Sequence, residues 1–210
     1  MPVSDISQRL RKLIPQTILR RKYSPAQKAL YLTFDDGPHP DVTPKLLALL
    51  DTFNAKASFF LIGVNANQYP ELVREIAQRG HTVANHSYQH LLLPKLNLQQ
   101  QLDEINQSKH IIESILQQPC VFFRAPRGMW TVRVLMSLRK MGIKAVHWSR
   151  DSFDYKKLAP REIVKNLLDK PVIAGDIVLF HDDADCCIDA LAELIPTWQR
   201  QGFQLKPLEF

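Results

Sequence analysis

Short apolar runs alternate with longer amphipathic stretches along most of the chain, from Ala29 onward. The short runs are rich in β-branched and aromatic residues, and the longer stretches have helical spacing, so the pattern predicts alternating strands and helices of an α/β protein. The predicted strands are 29–34, 57–62, 82–84, 121–124, 143–148, 177–181 and 204–208. The predicted helices are 42–53, 70–79, 98–117, 131–141, 160–168 and 188–201.

Four of the seven glycines occupy the same position in this pattern, between a helix-like stretch and a strand-like run. They are Gly80, Gly142, Gly175 and Gly202. Glycine adopts the left-handed conformation that ends a helix at little cost, so we predict a helix stop followed by a strand start at each.

Polar side chains cluster where the predicted strands end. These residues are Asp35, Asp36, Asn85, His86, Arg124, Asp151, Asp154 and His181. Five strand ends converge on one site more easily around a closed ring than along an open doubly wound sheet, which gathers its site at one switch point. We therefore predict a distorted (β/α) barrel of about seven parallel strands with outer helices, and an active site at the C-terminal ends of the strands.

The length of 210 residues fits one globular domain. No apolar run approaches the roughly 18 residues of a membrane span, and the N-terminus lacks the succession of a secretory signal. The three cysteines, Cys120, Cys186 and Cys187, match neither a disulfide scaffold nor a CxxC motif. Together these features predict a cytoplasmic protein.

The net charge of +6 is concentrated at one end of the chain. Residues 1–28 carry seven basic residues and one acidic residue, whereas 29–210 carry 20 of each. We predict a basic N-terminal arm (1–28) and a single catalytic domain (29–210). The balanced domain disfavours a nucleic-acid partner.

The arm also contains an apolar stripe, which permits peripheral contact with an anionic membrane. The alternative is an arm that packs on the domain with its charges in water. The stripe consists of Leu10, Leu13, Ile14, Ile18 and Leu19.

Two short segments carry candidate metal chemistry. The adjacent carboxylates of Asp35 and Asp36 would repel each other without a nearby cation. His86 and His90 are four residues apart, so one turn or tight loop can aim both imidazoles at one point. Two imidazoles and a carboxylate form the ligand set of a hydrolytic zinc site. The segment lacks the glutamate of an HExxH motif, so a general base must come from elsewhere.

Five segments occur in an order that resembles the polysaccharide deacetylase family, carbohydrate esterase family 4. They are TFDDG (33–37), HSYQH (86–90), RAPRG (124–128), DSFDY (151–155) and IVLFH (177–181). The resemblance implies a distorted (β/α) barrel and a metal-dependent hydrolase that removes acetyl groups from a glycan or amino sugar. N-acetyl groups are favoured over O-acetyl groups.

The same resemblance assigns the catalytic roles. It implies that Asp36, His86 and His90 hold one divalent metal and that Asp35 is the general base. Zinc is favoured, although cobalt, manganese or nickel would satisfy similar ligands. The resemblance also pairs Arg124 with Asp35, and an opposite charge at that distance would hold the pKa of Asp35 down.

The resemblance further makes His181 the general acid that protonates the leaving amine. Asp154 would orient and charge-stabilise this imidazole, with Asp151 as the rival for that role.

Three further residues are implied to contact the substrate. The backbone N–H of Arg127 would face the oxyanion, and Leu179 would line a small pocket for the acetyl methyl group. Arg127 stands where the family often has tyrosine, and Tyr155 where it usually has tryptophan. We hypothesise that the guanidinium of Arg127 recognises an anionic substituent near the scissile acetamide.

The expected partner is an acetylated glycan or amino sugar, and no protein partner is implied. Two alternative functions remain at this stage. One is a metal-dependent amidohydrolase acting on a non-sugar C–N bond, and the other is a catalytically silent glycan-binding domain.

Overall fold

A computed structural model describes residues 6, 8–24, 27–183 and 185–209 of the chain. Its strands are β1 Leu19–Arg20, β2 Ala29–Asp35, β3 Ala57–Leu61, β4 Thr82–Asn85, β5 Phe122–Phe123, β6 Lys144–Val146, β7 Arg150–Asp151, β8 Ile177–His181 and β9 Gln204–Leu205. Its α-helices are α1 Gln8–Arg11, α2 Val42–Thr52, α3 Gly63–Gln68, α4 Pro70–Gln78, α5 Leu98–Leu116, α6 Val132–Lys140, α7 Pro160–Asp169 and α8 Cys186–Arg200.

The strands form one parallel sheet that curls into a half-barrel surrounded by helices. Its order is β1-β6-β5-β4-β3-β2-β8-β7, and β9 pairs with the first residues of β2. In the described part of the chain, no pairing joins the two end strands, β1 and β7. The predicted distorted (β/α) barrel is confirmed in this curled form, and each predicted strand overlaps an observed one.

Four short elements of the described chain were absent from the predicted strands and α-helices: β1, β7, α1 and α3. Both strands contain only two residues and lie at the ends of the sheet. Two-residue strands are too short to show an alternating pattern, so their pairing partners rather than their sequence define them.

The predicted glycine junctions are present with one exception. Gly80, Gly142 and Gly202 follow the last turns of α4, α6 and α8 with φ of 78°, 71° and 84°. Gly175 has φ of 88° but lies in a turn just before β8, six residues after the end of α7. The helix stop predicted at Gly175 was therefore wrong, although its left-handed conformation is present.

Hydrophobic side chains fill both faces of the sheet. The larger cluster packs helices α2, α4, α7 and α8 against the outer face. A smaller cluster inside the half-barrel includes Tyr31, Phe60, Phe122, Val146 and Ile177. Because side chains alternate along a strand, the inner row of β2 continues from Tyr31 to Asp35, and that of β8 from Ile177 to His181. The inner core therefore leads to the candidate site at the carboxyl ends of the strands.

The described part of the N-terminal arm packs on the body of the protein. β1 pairs in parallel with β6, and Leu19 is fully buried. In contrast, Leu10 and Leu13 of the predicted stripe are 56% and 78% exposed. Residues 1–5, 7, 25 and 26 of the predicted arm lie outside the described residues. This packing matches the alternative in which the arm rests on the domain.

Among the described helices, none combines the length and apolar character needed to cross a bilayer.

Candidate active site

A buried ion pair lies at the end of β2. Arg124 Nη1 is 2.6 Å from Asp35 Oδ1 and 3.0 Å from Thr33 Oγ1. The guanidinium of Arg124 is fully buried, with its centre 4.0 Å from the ring centroid of Phe60 and 5.7 Å from that of Trp148. These aromatic faces favour a cation. The geometry therefore fixes the Asp35 carboxylate in one orientation.

Burial and the charge of Arg124 act in opposite directions on the pKa of Asp35. Burial raises the pKa of Asp35, and the opposing charge of Arg124 lowers it by less. Arg124 holds this pKa down as predicted, but burial outweighs that effect and the net direction is upward. Arg124 therefore limits a rise that burial causes.

The three predicted metal ligands converge. Asp36 Oδ1 is 3.4 Å from His86 Nε2 and 3.3 Å from His90 Nε2. One ligand atom from each residue lies within 4.8 Å of the other two. The loops that carry them are tightly bent, since Asp36, Ser87 and His90 have φ of 79°, 70° and 57°. Positive φ at three non-glycine residues is costly and is typical of functional sites.

The chemistry of these donors fits a divalent cation. Asp36 Oδ1 is buried and has no hydrogen-bond partner among the described residues. His86 Nδ1 lies 2.9 Å from the carbonyl oxygen of Arg124, and burial lowers the pKa of His86 to about 3. A neutral imidazole that donates Nδ1–H to this carbonyl leaves the lone pair of Nε2 directed at Asp36. The site thus combines an unpaired carboxylate oxygen with a neutral imidazole ligand.

A buried glutamate supports the loop that carries the two histidines. Glu104 Oε2 accepts hydrogen bonds from Tyr88 N and Gln89 N at 3.1 and 2.8 Å. Asn85 Oδ1 also accepts from Ser87 N at 2.8 Å. Sequence analysis missed Glu104, because its position on α5 gives no signal for a loop 15 residues earlier in the chain.

His181 contacts Asp154 at two points. The imidazole Nδ1 lies 2.8 Å from Asp154 Oδ1, and the backbone His181 N donates to Asp154 Oδ2 at 2.8 Å. Burial lowers the pKa of His181, but the hydrogen bond and charge of Asp154 outweigh it and raise that pKa to about 9. Asp151 instead accepts from Phe153 N. The geometry therefore favours Asp154 over Asp151 as the orienting carboxylate.

A second buried acid, Asp182, was missed by sequence analysis. Its Oδ2 accepts from Thr43 Oγ1 at 2.9 Å, and burial raises its pKa to about 8. A Cβ at Gly37 would collide with this carboxylate. The glycine of the TFDDG segment is therefore required because Asp182 packs against the loop. The position of Asp182 next to His181 was the available signal.

The remaining predicted substrate residues lie around this site. Leu179 is buried on the inner face of β8, two residues before His181. Tyr155 is 51% exposed, with its ring centroid 5.6 Å from that of His181. Arg127 is exposed in a tight turn at Pro126–Gly128 and has φ of 53°. Its neighbour Gly128 packs so closely on Trp148 that a Cβ would clash. Arg127 and Tyr155 therefore lie at an accessible rim, and Leu179 lies in the interior.

Comparison with known proteins identifies the family of this chain. Residues 22–146, more than half of the chain, match the sequence model described as polysaccharide deacetylase. The chain belongs to the polysaccharide deacetylase family. This confirms the predicted membership of carbohydrate esterase family 4, a family of deacetylase enzymes.

Members of this family match the chain over most of its length. A chitooligosaccharide deacetylase from Bradyrhizobium sp. (strain ANU 289) is 37% identical, over 94% of this chain and 97% of the relative. A peptidoglycan-N-acetylglucosamine deacetylase from Bacillus cereus is 33% identical, over 85% of each chain. A crystal structure of a peptidoglycan N-acetylglucosamine deacetylase superposes with a TM-score of 0.88 at 30% identity, and the match covers 92% of both chains.

Proposed function

We propose that this polysaccharide deacetylase removes N-acetyl groups from N-acetylglucosamine units of a glycan related to chitooligosaccharide or peptidoglycan. The observation that carries the proposal is the position of the Asp36, His86 and His90 cluster beside two buried acid–base pairs, Asp35 with Arg124 and His181 with Asp154. The substrates of the relatives named above support this choice of substrate class.

Asp36, His86 and His90 would hold one divalent metal, with zinc favoured by the two nitrogens and one oxygen. When bound, such a cation supplies Lewis-acid chemistry that polarises a carbonyl and lowers the pKa of water. The fit rests on the unpartnered Oδ1 of Asp36 and the neutral imidazole of His86.

Asp35 is the general base in this proposal. Its carboxylate accepts a proton from the attacking water as the new C–O bond forms at the acetamide carbon. The upward shift of its pKa by burial makes it a stronger base, because catalytic efficiency increases as the pKa approaches the working pH. Arg124 keeps the carboxylate oriented and limits that rise.

His181 is the general acid. Asp154 accepts the hydrogen bond of Nδ1, so Nε2–H is the proton available for transfer to the leaving nitrogen. The C–N bond then breaks, and the products are acetate and a free amine. The raised pKa of His181 keeps this proton in place at neutral pH.

In this proposal the acyl group lies between Arg127 at the rim and Leu179 in the interior. The backbone N–H of Arg127 would donate to the developing oxyanion, and Leu179 would contact the acetyl methyl group. A buried leucine on the inner face of β8 supports a small apolar pocket at that position. We expect longer acyl groups to react more slowly for this reason.

Acetate release from zinc-reconstituted protein tests the proposal. The substrates are tetra-N-acetylchitotetraose, peptidoglycan fragments, O-acetylated xylan and a non-sugar acetamide. We expect release from at least one N-acetyl glycan and a decrease of about 10²- to 10⁴-fold in Asp35→Asn. Zinc content and thermal unfolding serve as controls for folding.

Other results of the same assay would contradict the proposal. Release from the non-sugar acetamide alone would favour the amidohydrolase alternative. Glycan binding without release from any substrate would favour the silent binding domain.

A further inference from the structure

An open cavity of about 750 Å³ lies beside the candidate active site. Its lining includes Trp148, Asp151 and Phe153, which belong to the segments around the site, and Arg127 at the rim. The opposite wall is formed by the N-terminal arm, from Arg11 to Lys22. This volume is within the range of about 300–1,000 Å³ that is typical of small-ligand sites.

Basic side chains dominate the lining of this cavity. Seven of the lining residues are Lys or Arg, and two are Asp. Lys12, Arg21 and Lys22 come from the arm, and Arg127, Arg150 and Lys170 come from the catalytic body. The basic residues of the arm therefore face a cavity that the arm and the catalytic body form together. Clefts lined by one sign of charge concentrate ligands of the opposite sign.

The arm is held firmly in this position. Arg11 Nη1 donates to the carbonyl oxygen of Gly128, in the same turn as Arg127. Arg21 donates from Nη1 to the carbonyl of Arg11 at 2.7 Å and from Nη2 to that of Ile14 at 2.9 Å. These bonds fix the Arg21 guanidinium, and among the described residues it has no carboxylate within ion-pair distance. Lys22, in contrast, is 3.4 Å from Asp176.

Basic groups also act on an imidazole in the wall of the cavity. Burial lowers the pKa of His147, and the charges of Arg11, Arg124 and Arg21 lower it further. This direction agrees with the excess of basic over acidic residues in the lining.

We propose that this cavity binds an anionic group, a phosphate or carboxylate, carried by the acetylated sugar that the candidate active site deacetylates. The inference rests on the proposed deacetylase function, which it extends to the substrate class. Asp151 and Phe153, which line the cavity, lie just before Asp154 in the chain and so connect the cavity to the candidate active site. Trp148 and Phe153 add aromatic surface that suits a pyranose face. Because the cavity is concave, it fits a small ligand better than the flat surface of a lipid membrane.

Equilibrium binding tests the cavity without relying on turnover. The probes are N-acetylglucosamine 1-phosphate, N-acetylmuramic acid and neutral N-acetylglucosamine, titrated by calorimetry into the zinc-loaded full chain. The variant is Lys12→Gln with Lys170→Gln, two exposed lysines that line the cavity. The control is Lys140→Gln with Lys206→Gln, which removes the same charge from residues outside the lining.

We expect the cavity variant to bind at least one anionic probe about ten-fold more weakly than the wild type or the control variant, with neutral N-acetylglucosamine unaffected. The difference should decrease as salt is raised, since exposed charges are screened. Equal binding of anionic and neutral probes by all three proteins would overturn the proposal.

Two further measurements separate this proposal from its competitors. If the cavity variant lost binding to phosphatidylglycerol vesicles while its sugar binding was unchanged, the basic surface would serve a membrane and the proposal would be wrong. If anionic probes bound selectively but no substrate released acetate, the proposed reaction would fail and the assignment of the cavity would be supported.

Discussion

At the scale of one residue, Asp154 favours the protonated form of His181. A pH profile of activity can measure this effect. The carboxylate contacts both the ring Nδ1 and the backbone N–H of His181. Since burial alone lowers the pKa of His181, the value of about 9 depends mainly on Asp154, with smaller contributions from the charges of Asp35 and Asp36. A general acid must be protonated to act, so activity should be lost as pH rises through this pKa.

We expect Asp154→Asn to move the basic limb of the kcat/KM profile by about two pH units or more towards lower pH, because a pKa near 9 would return to its ordinary value or lower. The measurement is kcat/KM for tetra-N-acetylchitotetraose between pH 5 and 10. Asp151→Asn is the matched control and should leave the basic limb in place. An unchanged basic limb in Asp154→Asn would show that His181 does not donate the proton.

At the residue scale, the sequence predicted which residues converge but not the direction of every pKa shift. The motif order predicted which residues converge, and the structure places Asp36, His86 and His90 within 4.8 Å of one another. The direction of the Asp35 pKa shift was not predictable, because it depends on complete burial as well as on Arg124. Burial is a property of the packed chain and cannot be obtained from the adjacency of two residues.

At the scale of elements, helix α5 supports the loop that carries His86 and His90. The Glu104 carboxylate on α5 accepts two amide N–H groups of the loop that carries His86 and His90. Without Glu104, these two part-buried amides would lose this acceptor. Glu104 is therefore a positioning residue for the proposed metal ligands.

We expect Glu104→Ala to weaken zinc binding by about 10-fold or more, as is usual when support behind metal ligands is removed. Glu104→Gln retains a carbonyl acceptor and should recover part of the affinity. Asp103→Ala is the control, since Asp103 is on the same helix and its side chain accepts a hydrogen bond from Gln99. Competition with a chromophoric chelator measures the affinity. Equal affinities for all three variants and the wild type would contradict this role.

The long strands could be predicted from the sequence, but the short strand β1 could not. The long strands were predictable because β2, β3 and β8 are buried, continuous apolar runs. β1 was not predictable, since Leu19–Arg20 lies in a basic segment and exists as a strand only by pairing with β6. Its partner lies about 125 residues away, at Ala145 and Val146.

At the scale of the whole molecule, the N-terminal arm is part of the packed structure. Leu19 is fully buried in a cluster with Phe123, Trp130 and Ala145. The arm thereby joins the end of the sheet and forms one wall of the basic cavity.

We expect Leu19→Ala to lower the free energy of unfolding by about 2–5 kcal/mol, because it leaves a cavity in a packed cluster. Leu13→Ala, at a residue that is 78% exposed, should change it by less than about 0.5 kcal/mol. Urea denaturation of both variants measures the difference. Equal stability of the two variants would show that the arm does not contribute to the fold in solution.

The proposed reaction depends most on one metal at Asp36, His86 and His90. The most direct measurement is a zinc titration of chelator-treated protein, with acetate release from tetra-N-acetylchitotetraose followed at each addition. We predict that activity is absent after chelation and rises in proportion to zinc, up to one ion per chain. His90→Ala should bind zinc more weakly and release less acetate at each addition. Full activity of the metal-free protein, or an unchanged titration in His90→Ala, would contradict the account.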